Sequence, residues 1–443
     1  MYSPHTEAER TEMLQAIGVS SFDELLAQVP AALQRGPDNW PPALTEPELM
    51  AHARALAAKN KPLVCFAGAG AQDHFIPAAV SSLLQRGEYL SAYTPYQAEA
   101  SQGLLQAIYE FQSSICALTG MDAANASHYD GATALAAAAA AAARITGRKK
   151  ILLPASLHPE WRTVLATYFK AKGEPWLEIV PCPRGGLELA EVQQRLDGTV
   201  AAVVVASPNF YGGLEDGPAL AQLAHDSGAL LISVFDPISL GLLEAPGVWG
   251  ADMAVGEGQG LGNPLNGGGP YLGLFACKKA YLRHLPGRIC GATTDAEGHR
   301  GFVLTLQARE QHIRRERAAS NICSNEALCA LVATIYLALM GPAGLRDVAE
   351  LCVDKAHRLA EQLTQIPGYR LRFDRPFFNE FVLECPGSAT RVRNALLKDG
   401  LLAGVPLGAF NSTMGNCLLV CVTESRSDED LARFVAGIRK ISP

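Results

Sequence analysis

Several common sequence signatures are missing from this chain of 443 residues. Its eleven cysteines include no Cys-x-x-Cys pair, which argues against zinc binding and disulfides and favours reduced, buried thiols. There is no P-loop, no Gly-x-Ser-x-Gly elbow and no His-Glu-x-x-His, so phosphate transfer, serine hydrolysis and zinc proteolysis have no supporting motif. We therefore expect no metal site.

Charge is scarce, and basic charge is scarcer than acidic charge. Charged residues make up 18% of the chain and the formal net charge is -7, which argues against nucleic acid and against a basic membrane-binding face. The sequence opens without a cationic leader followed by an apolar stretch. Its longest apolar run, within 132–143, is shorter than the roughly 18 residues of a membrane span and predicts a buried helix. We expect a soluble, cytoplasmic protein that does not enter a membrane.

The length predicts more than one domain. The chain exceeds the roughly 250 to 300 residues at which a single core stops growing, and its hydrophobic content of 49% indicates a well-cored globular protein. Residues 1–60 carry mostly helical patterns and a proline-rich piece at 37–42 that predicts an extended arm. We predict an N-terminal helical arm (1–60), a large domain (61–330) and a small C-terminal α/β domain (331–443).

Short apolar segments alternate with helical patterns through the predicted large domain. Continuous apolar strands between helices indicate a largely parallel sheet that is covered on both faces. The C-terminal part begins with a helical run, continues with two shorter strands and ends with a helix from about Asp428. The predicted strands lie at 151–154, 201–206, 230–235, 253–255, 380–384 and 417–421.

Three polar positions at the ends of predicted elements are candidates for ligand binding. The turn before Thr133 opens a helix, and its free N–H groups could hold a phosphate, although packing alone also explains it. His158 ends one strand, where a structural role is the alternative. Asp236 follows another strand and either pairs with a cation or caps the next turn. The glycines of 66–73 begin like a dinucleotide fingerprint, but Asp73 replaces the third glycine, so we expect a tight turn.

The glycine-rich loop 252–270 carries the most informative residue. It reads Asp-Met-Ala-Val-Gly-Glu-Gly-Gln-Gly-Leu-Gly-Asn-Pro-Leu-Asn-Gly-Gly-Gly-Pro, with Gln259 five residues before Pro264. This loop resembles that of the glycine decarboxylase (P-protein) family of fold-type I pyridoxal-phosphate enzymes, in which a His-Lys pair precedes the proline and the glycine run. Gln259 stands at the lysine position, and its amide nitrogen is not basic and cannot form a Schiff base.

The resemblance extends over essentially the whole chain. Residues 92–103 are close to the family motif Tyr-Thr-Pro-Tyr-Gln-x-Glu of the N-terminal half of glycine decarboxylase. Further matching segments lie at 207–210, 301–315, 320–322 and 376–380, together with the opening Tyr-Ser-Pro-His-Thr. The chain is most similar to the branch in which the enzyme is divided between two subunits.

The resemblance implies a fold and a degenerate site. The expected fold is an α/β, aspartate aminotransferase-like, fold-type I structure whose large domain has a mostly parallel seven-stranded sheet. Thr133, His158, Asp236 and Gln259 then correspond to the phosphate loop, the ring stacker, the partner of the pyridine nitrogen and the lysine position. Catalysis is expected of no residue in this chain.

The resemblance also implies partners. Pyridoxal phosphate is expected in the complex, bound covalently by a homologous lysine-bearing chain, subunit 2 of the P-protein. The two chains would form a heterodimer, which can pair into a heterotetramer. Together they would decarboxylate glycine and pass the aminomethyl group to the lipoyl arm of H-protein.

Several surface segments could contribute to such a complex. Tyr93, Thr94, Tyr96 and Gln97, together with Asn379, could complete the active site of the partner, or they could only seal the interface. An arginine run at 309, 314, 315 and 317 could face an acidic H-protein or a carboxylate, or it could be a solvated helix face paired with Glu310 and Glu316.

Two other functions remain open from the sequence. A stand-alone pyridoxal-phosphate enzyme would need another lysine, and Lys278 or Lys279 after the next strand is the candidate. A non-catalytic structural or regulatory homologue is the other alternative.

Overall fold

The structure is a computed structural model that describes residues 4–34, 40–170, 176–318 and 320–441. The chain forms two compact units, Met1–Lys61 and Pro62–Pro443. The division of the second unit at residue 330 stays a prediction. Half of the proline-rich piece predicted as an extended arm, residues 37–39, lies outside the described residues.

The first unit consists of helices. They are α1 (Glu7–Ile17), α2 (Phe22–Leu25) and α3 (Glu46–Ala57). Thr6 and Thr45 start α1 and α3 with capping boxes, in which a glutamate three residues later bonds back to the cap. None of the described residues of this unit is buried, so the unit has no hydrophobic core of its own.

The second unit contains most of the secondary structure. Its strands are β1 (Val64–Cys65), β2 (Ala123–Ala124), β3 (Lys150–Pro154), β4 (Leu177–Val180), β5 (Val200–Ala206), β6 (Leu230–Phe235), β7 (Met253–Glu257), β8 (Gly273–Cys277), β9 (Ile289–Thr294), β10 (Arg300–Thr305), β11 (Arg370–Leu371), β12 (Glu380–Glu384), β13 (Leu401–Leu402), β14 (Val405–Pro406) and β15 (Cys417–Cys421). Its helices are α4 (Ala78–Leu84), α5 (Gln102–Thr119), α6 (Gly131–Thr146), α7 (Pro159–Lys170), α8 (Leu189–Gln193), α9 (Gly217–Asp226), α10 (Gln311–Arg314), α11 (Ala327–Thr364), α12 (Ala389–Lys398) and α13 (Asp428–Ile441).

A seven-stranded sheet forms the centre of this unit. Its order is β2-β8-β7-β6-β5-β3-β4, and the neighbours from β7 to β4 are parallel. Only β8 is antiparallel to its neighbours β7 and β2. Every residue of β5 and β6 is buried, as expected for strands covered on both faces. The predicted mostly parallel sheet is confirmed.

Helix α6 contains the alanine run and packs on the sheet. Eight of its residues from 134 to 143 are buried and form a core with residues of β3, β5 and β6. Small side chains permit this close approach of helix and sheet. The prediction of a buried helix is confirmed.

The C-terminal part contains a second, antiparallel sheet of order β11-β12-β15-β14. Residues of α11, α12 and α13 form a core against it. Strand β1 pairs in parallel with β13, so the start of this unit is bonded to its C-terminal part. Cys417 and Cys421 are buried in β15, as the apolar run predicted.

Helix α11 is long and broken. Its 38 residues contain a non-helical position at Gly341, with φ 59° and ψ -177°, followed by Pro342. Within the described residues it is the one helix that is long and apolar enough to span a membrane. Half of its apolar window is buried in the protein.

Candidate degenerate cofactor site

A cavity of about 100 Å³ lies at the carboxyl ends of β5, β6 and β7. This edge of a parallel sheet is where α/β proteins usually bind ligands. His158, Asp236 and Gln259, three of the four residues predicted for the pocket, line the cavity, whereas Thr133 does not. None of the described residues that line it is a lysine.

A glycine turn brings further side chains into this cavity. Ala69 has a φ of 62° and Gly70 a φ of 103°, so the chain reverses sharply after β1. A Cβ at Gly68 would lie 2.7 Å from the Cβ of Cys421, which explains the glycine. The expected tight turn is present, and Asp73 at its end pairs with Arg426 at 2.5 Å. Gln72 and His74, on either side of Asp73, line the cavity.

Gln259 is buried, with 3% of its surface exposed, and both ends of its amide are bonded. Its Nε2 donates to the carbonyl oxygen of Asn263 at 2.7 Å. Its Oε1 accepts from the backbone N–H of Gln72 at 2.8 Å. The amide therefore links its own loop to the glycine turn, a role that a lysine ammonium group, which only donates, cannot fill.

Asp236 takes part in a chain of buried polar groups. Gln72 Nε2 donates to Asp236 Oδ2 at 3.2 Å, and Gln72 Oε1 accepts from Asn379 Nδ2 at 2.6 Å. His74 Nε2 lies 3.2 Å from the same Gln72 oxygen, while its Nδ1 lies 2.7 Å from Glu424 Oε2. Both ring nitrogens of His74 thus lie within hydrogen-bond distance of side-chain oxygens.

The other oxygen of Asp236 caps the turn that follows β6. Its Oδ1 accepts from the backbone N–H groups of Ile238 at 2.7 Å and Ser239 at 3.2 Å. Burial raises the pKa of Asp236, and the nearby His74 and these hydrogen bonds oppose the shift. The structure therefore shows the cap that was one alternative for Asp236.

Asn379, named above as able to complete the active site of a partner, is buried within this chain, and its contribution to a partner stays a prediction. Only 2% of its surface is exposed, and its amide bonds to Gln72 inside the cavity of the same chain. Asn379 directly precedes β12 and lines this cavity.

Glu257, two residues before Gln259, was not singled out from the sequence. One carboxyl oxygen accepts from the backbone N–H groups of Leu272 at 2.9 Å and Gln259 at 3.1 Å. The other accepts from the N–H of Gly131, the first residue of α6, at 3.0 Å. Burial raises the pKa of Glu257 to about 8, and the three hydrogen bonds oppose the shift. The contact with Gly131 spans 126 residues, so no local pattern reveals it.

The N–H groups at the start of α6 are not free, contrary to expectation. Asp130 Oδ1 accepts from the N–H of Thr133 at 2.7 Å, and Thr133 Oγ1 accepts from the N–H of Asp130 at 3.2 Å. This reciprocal capping box and the contact of Gly131 with Glu257 occupy the donors that a phosphate would use. Thr133 instead lines a separate cavity with Tyr168.

His158 is held by hydrogen bonds on both ring nitrogens. Its Nε2 donates to the carbonyl oxygen of Ala69 at 2.7 Å, and its Nδ1 accepts from the N–H of Glu160 at 3.2 Å. The ring lies edge-on against Phe210 and stacks at 6.3 Å on Trp161. Burial lowers the pKa of His158, so the neutral ring is favoured. These contacts match the structural alternative.

The residues present do not fit a covalently held pyridoxal phosphate. Such a site needs an amine, free donors for the phosphate and a carboxylate for the pyridine nitrogen. Here Gln259 replaces the amine, and Asp236 already accepts from Gln72. Lys278 pairs with Asp252, which precedes β7, at 2.8 Å, whereas the cavity lies beyond the other end of β7. A stand-alone enzyme that uses Lys278 is therefore not favoured.

The described residues include one group of three potential metal ligands, His74, Cys352 and Glu424, whose ligand atoms lie within 4.8 Å of one another. His74 and Glu424 contact each other directly at 2.7 Å. We therefore describe them as a buried hydrogen-bonded pair and derive no metal site from them.

The tyrosine segment 93–97 lies at the surface of the second unit. Tyr93 and Tyr96 expose 85% and 56% of their surfaces, while Pro95 between them is buried. Arg288 donates to the Tyr96 hydroxyl oxygen at 2.9 Å and lies 4.8 Å from the centre of its ring. Thr94 is half-buried and Gln97 is exposed. The segment is thus anchored at its middle and presents two aromatic rings outward.

The arginine run does not form one continuous helix face. Helix α10 has only four residues, and Arg315 after it has a φ of 51°. Arg309 donates to the carbonyl oxygens of Leu306 and Gly287, whereas Arg317 is exposed and lies 3.8 Å from Glu316. The segment is an irregular surface loop, and its last arginine, Arg317, is exposed.

Known proteins resemble the chain over its full length. The model of the family described as "Glycine cleavage system P-protein" matches residues 1–437. "Probable glycine dehydrogenase (decarboxylating) subunit 1" from Moorella thermoacetica is 52% identical over 441 residues, with 99% of both chains covered. The protein of the same name from Desulforamulus reducens is 50% identical over 445 residues, with both chains fully covered.

Solved structures agree with this assignment. A crystal structure of glycine decarboxylase (P-protein) of the glycine cleavage system in inhibitor-bound form superposes with a TM-score of 0.91 at 45% identity, with both chains fully covered. A sphingosine-1-phosphate lyase from Burkholderia pseudomallei superposes with a TM-score of 0.66 at 16% identity over 94% of this chain and 93% of its own, which shows the shared fold. The predicted fold class is confirmed, and the chain belongs to the glycine cleavage system P-protein family.

Proposed function

We propose that this chain is the subunit without a Schiff-base lysine in a heteromeric glycine-decarboxylating enzyme. Its full-length relatives are named as subunit 1 of a glycine dehydrogenase (decarboxylating), which implies a second subunit. The observation that carries the proposal is the cofactor pocket, where Gln259 stands at the lysine position with both ends of its amide bonded. A homologous second subunit holds pyridoxal phosphate covalently, and this chain is inactive by itself.

The complex removes CO2 from glycine and transfers the remaining aminomethyl group to the lipoyl arm of H-protein in the cytoplasm. Pyridoxal phosphate on the second subunit supplies the electron sink that decarboxylation of an amino acid requires. This chain pairs with that subunit as a heterodimer, and two heterodimers form a heterotetramer. The net charge of -7 fits a soluble complex without nucleic acid.

The surface of this chain supports a role at the interface. Fold-type I active sites lie between protomers, and segment 93–97 offers phenol, hydroxyl and amide groups at the surface. Arg288 and the buried Pro95 fix the position of Tyr96 before any partner binds. Preorganised polar groups cost less entropy on binding. We assign this segment to completing the active site of the lysine-bearing subunit.

The test is reconstitution with a homologous lysine-bearing chain. Exchange of label between bicarbonate and the glycine carboxyl group, measured with lipoylated H-protein, should appear only when both chains are present. Borohydride reduction in the presence of pyridoxal phosphate should label a peptide of the second chain alone. A labelled peptide from this chain, or exchange by this chain without its partner, would overturn the proposal.

The contribution of the tyrosine segment needs a matched pair of variants. Tyr96→Phe removes the hydroxyl group that Arg288 holds, and Tyr168→Phe removes a partly exposed hydroxyl group on α7 as the control. We expect the first variant to assemble normally and to lose at least tenfold in exchange rate, while the control keeps its rate. Equal exchange rates in both variants would show that the segment only seals the interface and does not complete the active site of the partner.

A further inference from the structure

The start of α6 and the loop before Gln259 meet around one carboxyl group. Three backbone N–H groups, those of Gly131, Leu272 and Gln259, point at the two oxygens of Glu257 over distances of 2.9 to 3.1 Å. Such convergence of donors at the first residue of a 16-residue helix is the arrangement that binds phosphate groups. Here a side chain of the protein lies at that point.

A second contact expected of pyridoxal phosphate is also made by a side chain of this protein. Asp236, the residue expected to pair with a pyridine nitrogen, accepts from Gln72 Nε2 at 3.2 Å. The orientation of the Gln72 amide is fixed, because its oxygen accepts from Asn379 at 2.6 Å. An amide N–H thus stands opposite Asp236 where a protonated ring nitrogen would stand.

We propose that side chains of this subunit act as a built-in substitute for pyridoxal phosphate, with Glu257 in place of the phosphate group and Gln72 in place of the pyridine nitrogen. The substitute keeps α6, the Gln259 loop and the glycine turn in the arrangement that a bound cofactor would otherwise stabilise. The pocket then has a structural role: its side chains hold these three segments together and exclude the cofactor.

The energetics support a substitute over a chance contact. Removing Glu257 would leave three largely buried N–H groups without an acceptor, which lowers stability because buried donors need a hydrogen-bond partner. The indole ring of Trp161 packs directly against Gly131, because a Cβ at this position would lie 2.3 Å from the ring. Glu257 lines the cavity, so its removal leaves a donor cradle that a small anion can reach.

The test is chemical rescue of the full-length chain by inorganic phosphate. Glu257→Ala should lower the melting temperature, and 50 mM sodium phosphate should restore at least half of the loss relative to sodium chloride of equal ionic strength. The matched control is Glu380→Ala, which removes another buried carboxyl group from the same cavity but one that accepts a single N–H, from Ala69. Phosphate should stabilise the control and the wild type no more than chloride does.

Each outcome of this experiment either supports or overturns the proposal. An unchanged melting temperature for Glu257→Ala, or equal effects of phosphate and chloride on it, overturns the proposal, as does equal rescue of the control. If Glu257→Ala does not fold, Glu257→Gln is measured, because its Nε2 would face the Gly131 N–H while its Oε1 keeps the other two contacts. We expect a lower melting temperature without phosphate rescue, and no loss of stability would overturn the proposal. None of these results depends on assembly with a second subunit.

Discussion

At the residue scale, the main electrostatic feature of the cavity is a set of buried carboxyl groups. Among the described residues, no arginine or lysine forms an ion pair with them. Burial raises the pKa of Glu380 from 4.5 to about 7, and Asp236 adds to the shift. Because the pKa is higher in the folded state, the folded chain binds the proton more tightly than the unfolded chain. The stability from this group is fully present below pH 4.5 and is lost as the pH rises through 7.

Glu380→Gln should therefore change how stability depends on pH. The amide is never charged and its oxygen can still accept from the N–H of Ala69. We expect the variant to exceed the wild type in free energy of unfolding at pH 9, by about 1 to 3 kcal/mol, with a smaller difference at pH 5. Urea unfolding at both values measures this, with the exposed Glu361→Gln as control. A constant difference between pH 5 and pH 9 would contradict the titration of Glu380.

Gln259→Lys tests how far the pocket differs from a catalytic one. The substitution removes the acceptor for the Gln72 N–H and places an ammonium group in a buried position. We expect a loss of about 1 to 3 kcal/mol in unfolding free energy and no absorbance of a Schiff base with pyridoxal phosphate. Glycine decarboxylation by this variant alone would show that only one residue separates the pocket from activity.

The sequence predicted which residues surround the cavity better than it predicted the hydrogen bonds between them. His158, Asp236 and Gln259 follow predicted strands or stand in a recognisable loop, so their meeting at one edge of the sheet was predictable. Glu257 was not, because its contact with Gly131 depends on α6 and β7 lying side by side. The burial of Asn379 was not predictable either, because its motif does not indicate which of its side chains face the interior.

At the scale of elements, long apolar strands were predictable and short ones were not. Strands β5 and β6 are buried throughout and appear as continuous apolar runs. Strands β1 and β13 have two residues each, which is too short for any periodicity, and their pairing joins residues more than 330 positions apart.

The break in α11 depends on one glycine. Gly341 has φ 59° and ψ -177°, a conformation that residues with a side chain rarely adopt, and no neighbouring atom would obstruct a Cβ. Gly341→Ala should thus lower the free energy of unfolding by about 1 to 3 kcal/mol through backbone strain alone.

Gly344→Ala, in the same helix, is the matched control for this prediction. Its Cβ would meet only the flexible side chain of Met340 and its backbone is helical, so we expect no loss or a small gain in stability. Denaturant unfolding compares the two variants. Equal stabilities would show that the helix can straighten without cost.

At the scale of the whole molecule, the first unit is the strongest sign that the chain works in an assembly. None of its described residues is buried, and Phe22, Leu33 and Trp40 expose 66%, 70% and 80% of their surfaces. Exposed aromatic side chains such as Phe22 and Trp40 are enriched at protein–protein interfaces. We expect the homologous lysine-bearing subunit to cover it.

Trp40→Ala and Phe22→Ala should separate stability from assembly. Because both side chains are exposed, we expect the unfolding free energy of the isolated chain to change by less than about 0.5 kcal/mol. The dissociation constant for the lysine-bearing chain should rise at least tenfold, about 1.4 kcal/mol, since buried aromatic residues dominate interface energies. Titration calorimetry measures the binding, with His52→Ala on the exposed surface of α3 as control. If both variants bind as tightly as the wild type, the apolar surface of the first unit lies outside the interface, and the tyrosine segment is left as the principal contact.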